Sequence, residues 1–126
     1  MTSPCKVALL LIAHGSKRQA ANNDLVTLAE MLRDKNIFDQ IEIAYLEVVE
    51  PTIPQGACAC IEQGATEVLM FPYFLSAGNH VQHDLEQHRL QLANEYRHVR
   101  FTLCPPLGLH PLMIDIVCDR IAEGRK

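Results

Sequence analysis

Val7-Ala8-Leu9-Leu10-Leu11-Ile12-Ala13, closed by His14-Gly15-Ser16, decides the fold. Seven apolar residues in succession leave no side of the segment for water, the pattern of a strand in a parallel sheet covered by helices on both faces. A second apolar run, Val68-Leu69-Met70-Phe71, stops at Pro72 and leads through a loop to Gly78-Asn79-His80. Ligands of open α/β sheets bind beyond the carboxyl ends of the strands. The two segments therefore bring two imidazoles, His14 and His80, toward one crevice.

The intervening sequence supplies the helices. Leu25, Leu28, Ala29 and Leu32 recur at helical spacing and predict a helix over residues 23–35, with Asn22 or Asn23 as cap and Asn36 at its far end. Residues 41–47 read as a second strand, stopped by Pro51. Thr52-Ile53-Pro54-Gln55 fits a capping box opening a helix that runs to about Gln63, where Gly64 suits the stop. The longest helix is expected over residues 80–96, with Val81, Leu85, Leu92 and Tyr96 along its core face. Residues 99–103 form a fourth strand, and after a loop rich in Pro and Gly a last helix starts with Pro111 at its first position. This β-α-β-α-β-α-β-α order predicts one α/β domain over residues 1–126: a three-layer αβα sandwich on a four-stranded parallel sheet. The expected winding is flavodoxin-like, with strand order 2-1-3-4 and right-handed crossovers.

Composition narrows the partners. A chain of 126 residues supports one core and not two. Its formal charge of −4 supplies no basic field for nucleic acid or an anionic membrane, so the expected partner is a small molecule. Residues 7–13 are too few to cross a bilayer, and Met1-Thr2-Ser3-Pro4-Cys5-Lys6 lacks the regions of a signal peptide, so a cytoplasmic protein is expected. The five cysteines are an odd, scattered set, read as reduced core thiols, with Cys58 and Cys60 pointing to different faces of one helix. There is no G-x-x-x-x-G-K-[ST] and no G-x-G-x-x-G, which argues against nucleotide-driven work and against a dinucleotide cofactor.

Polar groups gather at the carboxyl edge of the predicted sheet: His14, Glu47, His80 and His110. Imidazole accepts protons near neutral pH and binds borderline divalent metals, and a neighbouring carboxylate can take a proton or share the ion. An open site of two imidazoles and a carboxylate hands a metal on, whereas a closed four-ligand site retains it. The plainer alternative is that His14 fixes a turn and Glu47 is a solvated loop residue. Gly15 and Gly78 read as backbone devices, His83 and Asp84 as surface residues or a partner pair for His80, and His88 and His98 as solvent-facing.

Ordered along the chain, Leu11-Ile12-Ala13-His14-Gly15-Ser16-Lys17-Arg18, Tyr45-Leu46-Glu47 with Glu50-Pro51, Phe71-Pro72-Tyr73-Phe74-Leu75-Ser76-Ala77-Gly78-Asn79-His80-Val81 with Asp84, and Pro106-Leu107-Gly108-Leu109-His110-Pro111 resemble the short CbiX/SirB-type sirohydrochlorin chelatases. The resemblance implies insertion of a divalent metal ion, Co2+, Fe2+ or Ni2+, into sirohydrochlorin or a related tetrapyrrole without ATP. It implies no tightly bound cofactor, the metal being a substrate. It also implies that His14 and His80 ligate the metal and accept protons, that Glu47 assists, and that two identical chains form a homodimer. Substrate contacts are expected from Gly15, Ser16, Lys17, Arg18, Phe74, Leu75, Ser76 and Gly78, with Leu107 as a further apolar wall. Family members often carry Arg directly after His-Gly-Ser, where this chain has Lys17 and then Arg18. Two other functions fit the residues: a metal or tetrapyrrole carrier without turnover, and a histidine phosphotransferase, the latter weakened by Ala13 where phosphatases have Arg.

Overall fold

The computed structural model describes residues 5–76 and 78–126. Met1 to Pro4 of the amino-terminal stretch, and Ala77 of the loop motif, lie outside the described residues. The element order is β1 (Val7–Ala13), α1 (Gln19–Arg33), β2 (Gln40–Tyr45), α2 (Ile53–Glu62), β3 (Glu67–Pro72), α3 (Asn79–Glu95), β4 (Arg100–Leu103) and α4 (Met113–Gly124). The strands form one parallel sheet in the order β2-β1-β3-β4, as the apolar pattern predicts.

β1 is the axis. It pairs with β2 on one side and β3 on the other, so that Leu10 lies between Glu42 and Met70. Its pleat divides the core in two. Ala8, Leu10 and Ile12 pack with Val68, Met70 and the inner faces of α2 and α3, while Leu9 and Leu11 pack with Ile41, Tyr45 and the α1 residues Leu25 and Ala29. On α2, Gly56 comes so close to β1 and β2 that a Cβ there would lie 2.8 Å from Leu10 Cδ1 and 3.0 Å from the Ile43 carbonyl oxygen. Only glycine permits that spacing.

Local signals account for most boundaries. The capping box is present: the Gln55 amide N–H donates to Thr52 Oγ1, and the Thr52 N–H donates to Gln55 Oε1 at 2.8 Å. Helix α1 differs from expectation. It starts four residues earlier, capped by Arg18 with no side-chain cap, because Asn22 is turned inward and buried. β2 ends at Tyr45 rather than Glu47, and Pro111 precedes α4 by two residues, with Leu112 as cap.

The reading of the cysteines as core thiols needs correction. Only Cys60 is buried; Cys58 and Cys104 are half-buried, and Cys5 and Cys118 are exposed. His88 is also half-buried rather than solvent-facing. Burial, aided by the Glu42 charge, pushes the Cys60 thiol up to about 12.

Two outcomes follow. Gly56→Val should lower unfolding free energy by about 1–3 kcal/mol through overpacking, measured by urea titration. The fold favours the neutral Cys60 thiol, whose contribution is complete below the unfolded value of 9.0 and is lost as pH rises toward 12. Alkaline loss of stability should therefore be smaller in Cys60→Ala than in the parent, and at pH 8 a thiol reagent should label Cys5 while Cys60 reacts only on unfolding.

Candidate functional site

His14 follows the last residue of β1, at the carboxyl edge where β1 and β3 lie side by side. Its ring stacks on Phe74, with centroids 4.3 Å apart and planes 29° from parallel. Phe74 is 5% exposed and belongs to the core, so the imidazole rests on a fixed wall. Stacking engages the face of the ring, and its in-plane nitrogens remain the groups that take a metal ion or a proton.

The backbone after His14 is held from two directions. Gly15 has φ of +94°, and a Cβ there would lie 2.0 Å from the Glu47 carbonyl oxygen. No other residue fits that contact without moving one of the two loops. The Glu47 N–H in turn donates to the His14 carbonyl at 3.0 Å. The Glu47 loop continues through Val48 at φ +76°, a conformation costly for a β-branched residue. From the other side the Asn22 side chain clamps Ser16, accepting its N–H at 2.9 Å and donating to its carbonyl at 2.8 Å. Tyr45 completes the brace by donating its hydroxyl to the Asn22 carbonyl at 2.8 Å. Burial pushes the Tyr45 hydroxyl above its ordinary value, keeping it a donor. The sequence pattern offers Asn22 only as a helix cap; an amide at the start of an apolar helical stripe does not by itself reveal that it serves the preceding loop.

Beside this loop lies an open hollow of about 460 Å³. Of the expected site residues, His14, Gly15, Ser16, Phe74, Leu75 and Ser76 line it, together with Tyr73 and Asn22. His80 stands outside this lining, exposed in the first turn of α3 at the same sheet edge. Lys17 and Arg18 are exposed at the start of α1, the Glu47 side chain is exposed, and Gly78 caps α3 with open space around it. Leu107 is not a wall of the hollow: it lines an adjacent groove on the sheet face, because its N–H is tied to the Pro72 carbonyl. His110 accepts the Leu112 N–H on Nδ1 at 3.1 Å, which assigns it to the turn before α4. No group of three or more metal-ligating side chains occurs among the described residues.

The family model for CbiX matches residues 8–124. The chain belongs to the CbiX family. It is 33% identical over 113 residues to the chloroplastic sirohydrochlorin ferrochelatase of Arabidopsis thaliana, covering 90% of this chain and 50% of that protein. It is 42% identical over 78 residues to the sirohydrochlorin cobaltochelatase of Methanocaldococcus jannaschii, covering 62% and 54%. Among solved structures, the sirohydrochlorin chelatase SirB from Bacillus subtilis subspecies spizizenii in complex with cobalt superposes with a TM-score of 0.86 at 30% identity, over 94% of this chain and 50% of SirB. This CbiX-family chain thus spans about half the length of the curated relatives it matches.

Gly15→Ala should destabilise the fold by more than about 1 kcal/mol, since it adds a Cβ at positive φ against a carbonyl. Asn22→Ala removes a buried side chain that is both acceptor and donor to the half-buried Ser16 backbone and should cost about 1–3 kcal/mol, read from the urea midpoint.

Proposed function

We propose that this protein inserts a divalent metal ion, Co2+, Fe2+ or Ni2+, into sirohydrochlorin or a closely related tetrapyrrole without nucleotide hydrolysis. The observation that carries the reading is His14: an imidazole braced at the carboxyl edge of the central strand and stacked on Phe74 beside an open hollow, in a chain of the CbiX family. The names of the relatives, ferrochelatases and cobaltochelatases of sirohydrochlorin, support the same substrate class.

Metalation exchanges two pyrrole N–H protons for one dication, so the protein must supply proton acceptors and a loosely held metal at the ring face. His14 and His80 serve as ligands to the incoming ion and as acceptors of the two protons, and Glu47 assists proton removal or metal delivery. Phe74 and Leu75 offer the apolar wall against which the macrocycle lies. Its carboxylates meet Lys17, Arg18 and the amides at the starts of α1 and α3, two helices with no acidic residue in the first turn to repel them. His80 lies outside the lining of the His14 hollow, and the two are joined through a ring that bridges them along the sheet edge. Two copies of the chain form the working homodimer, matching in total length the relatives that this chain half-covers.

With Co2+ and sirohydrochlorin, insertion is followed by the absorption change of the tetrapyrrole. His14→Ala and His80→Ala should each lower turnover about 100-fold or more while far-UV circular dichroism stays that of the parent. A folded variant inserting at the parental rate removes that residue from the mechanism. Product that never exceeds one equivalent per chain instead identifies a carrier, and a phosphorylated His14 identifies a phosphotransferase.

A further inference from the structure

The short connection from β2 to α2 carries a strained turn beside the site. Val48 has φ of +76°, and across it the Val49 N–H donates to the Glu47 carbonyl at 2.9 Å, closing a γ-turn of the rare, strained hand. A β-branched residue is among the least suited to that conformation, whereas glycine adopts it freely. A turn that did no more than join two elements would be better served by glycine.

The surroundings hold the strain in place. The Leu46 N–H donates to the Ala13 carbonyl at 2.8 Å and the Glu47 N–H to the His14 carbonyl at 3.0 Å, so the β1–β2 ladder continues past Tyr45. At the other end the Tyr45 N–H donates to the Pro51 carbonyl at 2.8 Å and closes the loop. The Glu47 carbonyl that accepts from Val49 is also the one against which Gly15 lies. The turn and the His14 loop are thus fitted to each other.

What the turn achieves is the direction of one side chain. Leu46 and Val49 pack against the two cores, while Val48 between them is turned outward and is 59% exposed. In the sheet order it stands on the β2 side of His14, and Leu75, 61% exposed, stands on the β3 side. Neighbouring strands lie about 4.8 Å apart, so the two flanking loops are separated by roughly 10 Å, an interval that a flat macrocycle lying over His14 spans. Phe74 and Leu75 belong to the lining of the hollow and Val48 does not, which leaves Val48 to support the far side of such a ring. The exposed carboxylates of Glu47 and Glu50 beside Val48 repel acidic side arms, so the part of the ligand that meets it is apolar.

We propose that Val48 contacts the substrate, its isopropyl group held outward by the strained turn against the apolar surface of the tetrapyrrole on the β2 side of His14. The inference rests on the proposed function for the ring itself and adds to it a specificity-determining contact.

Metal-free sirohydrochlorin is titrated into the full chain and into Val48→Gly and Val48→Thr, with binding read from tetrapyrrole fluorescence and stability from the urea midpoint. Val48→Gly should weaken binding about 10-fold, as when a side chain of this size leaves an interface, while its midpoint stays at or above the parental one. Val48→Thr keeps the branch and the strain but exchanges a methyl for a hydroxyl, and should weaken binding about fourfold. Co2+ affinity should stay parental in both. Parental ring affinity in Val48→Gly overturns the contact, and so does a loss confined to Val48→Gly with Val48→Thr parental, which assigns the effect to loop freedom. A Val48→Gly midpoint below the parental one overturns the strain. Insertion is measured separately: a parent that binds the ring without inserting metal refutes the chelatase reading and leaves the contact standing, whereas a parent that binds no tetrapyrrole refutes both.

Discussion

Everything in this molecule hangs on the burial of the β1 interior, Ala8 to Ile12. A strand hydrogen-bonded on both edges and apolar on both faces has one position available, the interior of the sheet, with helices above and below. From that position the rest is constrained. The strands added on either side of β1 reverse the winding, the loops after β1 and β3 become neighbours, and whatever those loops carry is presented together. His14 is held at the carboxyl edge because Leu10 and Ile12 are fully buried a few residues earlier. The chemistry at the edge is purchased by the packing beneath it.

The constraint also explains which parts of the structure could be read in the amino acids. Strand order, helix count and the capping box at Thr52 follow from signals local to their own segments: apolar runs, turn residues, and a hydroxyl three residues before an amide. Of the candidate site, the motifs place His14, Gly15, Ser16, Phe74, Leu75 and Ser76 around one hollow, while His80 stands outside its lining. What escaped was non-local. Nothing in the surroundings of Asn22 says that its amide reaches six residues back to Ser16, and nothing around Gly56 says that a helix crosses the sheet at that atom. The place of Leu107 is non-local too, since a backbone hydrogen bond to Pro72 holds it in the groove on the sheet face rather than in the His14 hollow.

The two faces of the sheet are unequal in a way composition conceals. The α2/α3 face is closed over small residues, Gly56, Ala57 and Cys60, that let the helix lie low on the strands. The opposite face relies on one helix and on larger side chains, Leu9, Leu11, Leu69 and Phe71, which overreach the cover that α1 provides. A domain of 126 residues that buries one face fully and the other in part has little surplus stability to spend on strained loops. Yet it keeps Val48 at positive φ beside the site.

The brace around Ser16 has a thermodynamic meaning beyond the geometry it fixes. A loop left free in the unliganded protein must surrender its conformational entropy when a ligand arrives, and that loss is subtracted from affinity. Here the buried amide of Asn22 and the hydroxyl of Tyr45 have already imposed the ordering during folding. In the proposed reading, association meets a preorganised surface, and the strength of ligand capture is tied to the integrity of the first turns of α1, whose Asn22 both holds the loop and lines the hollow.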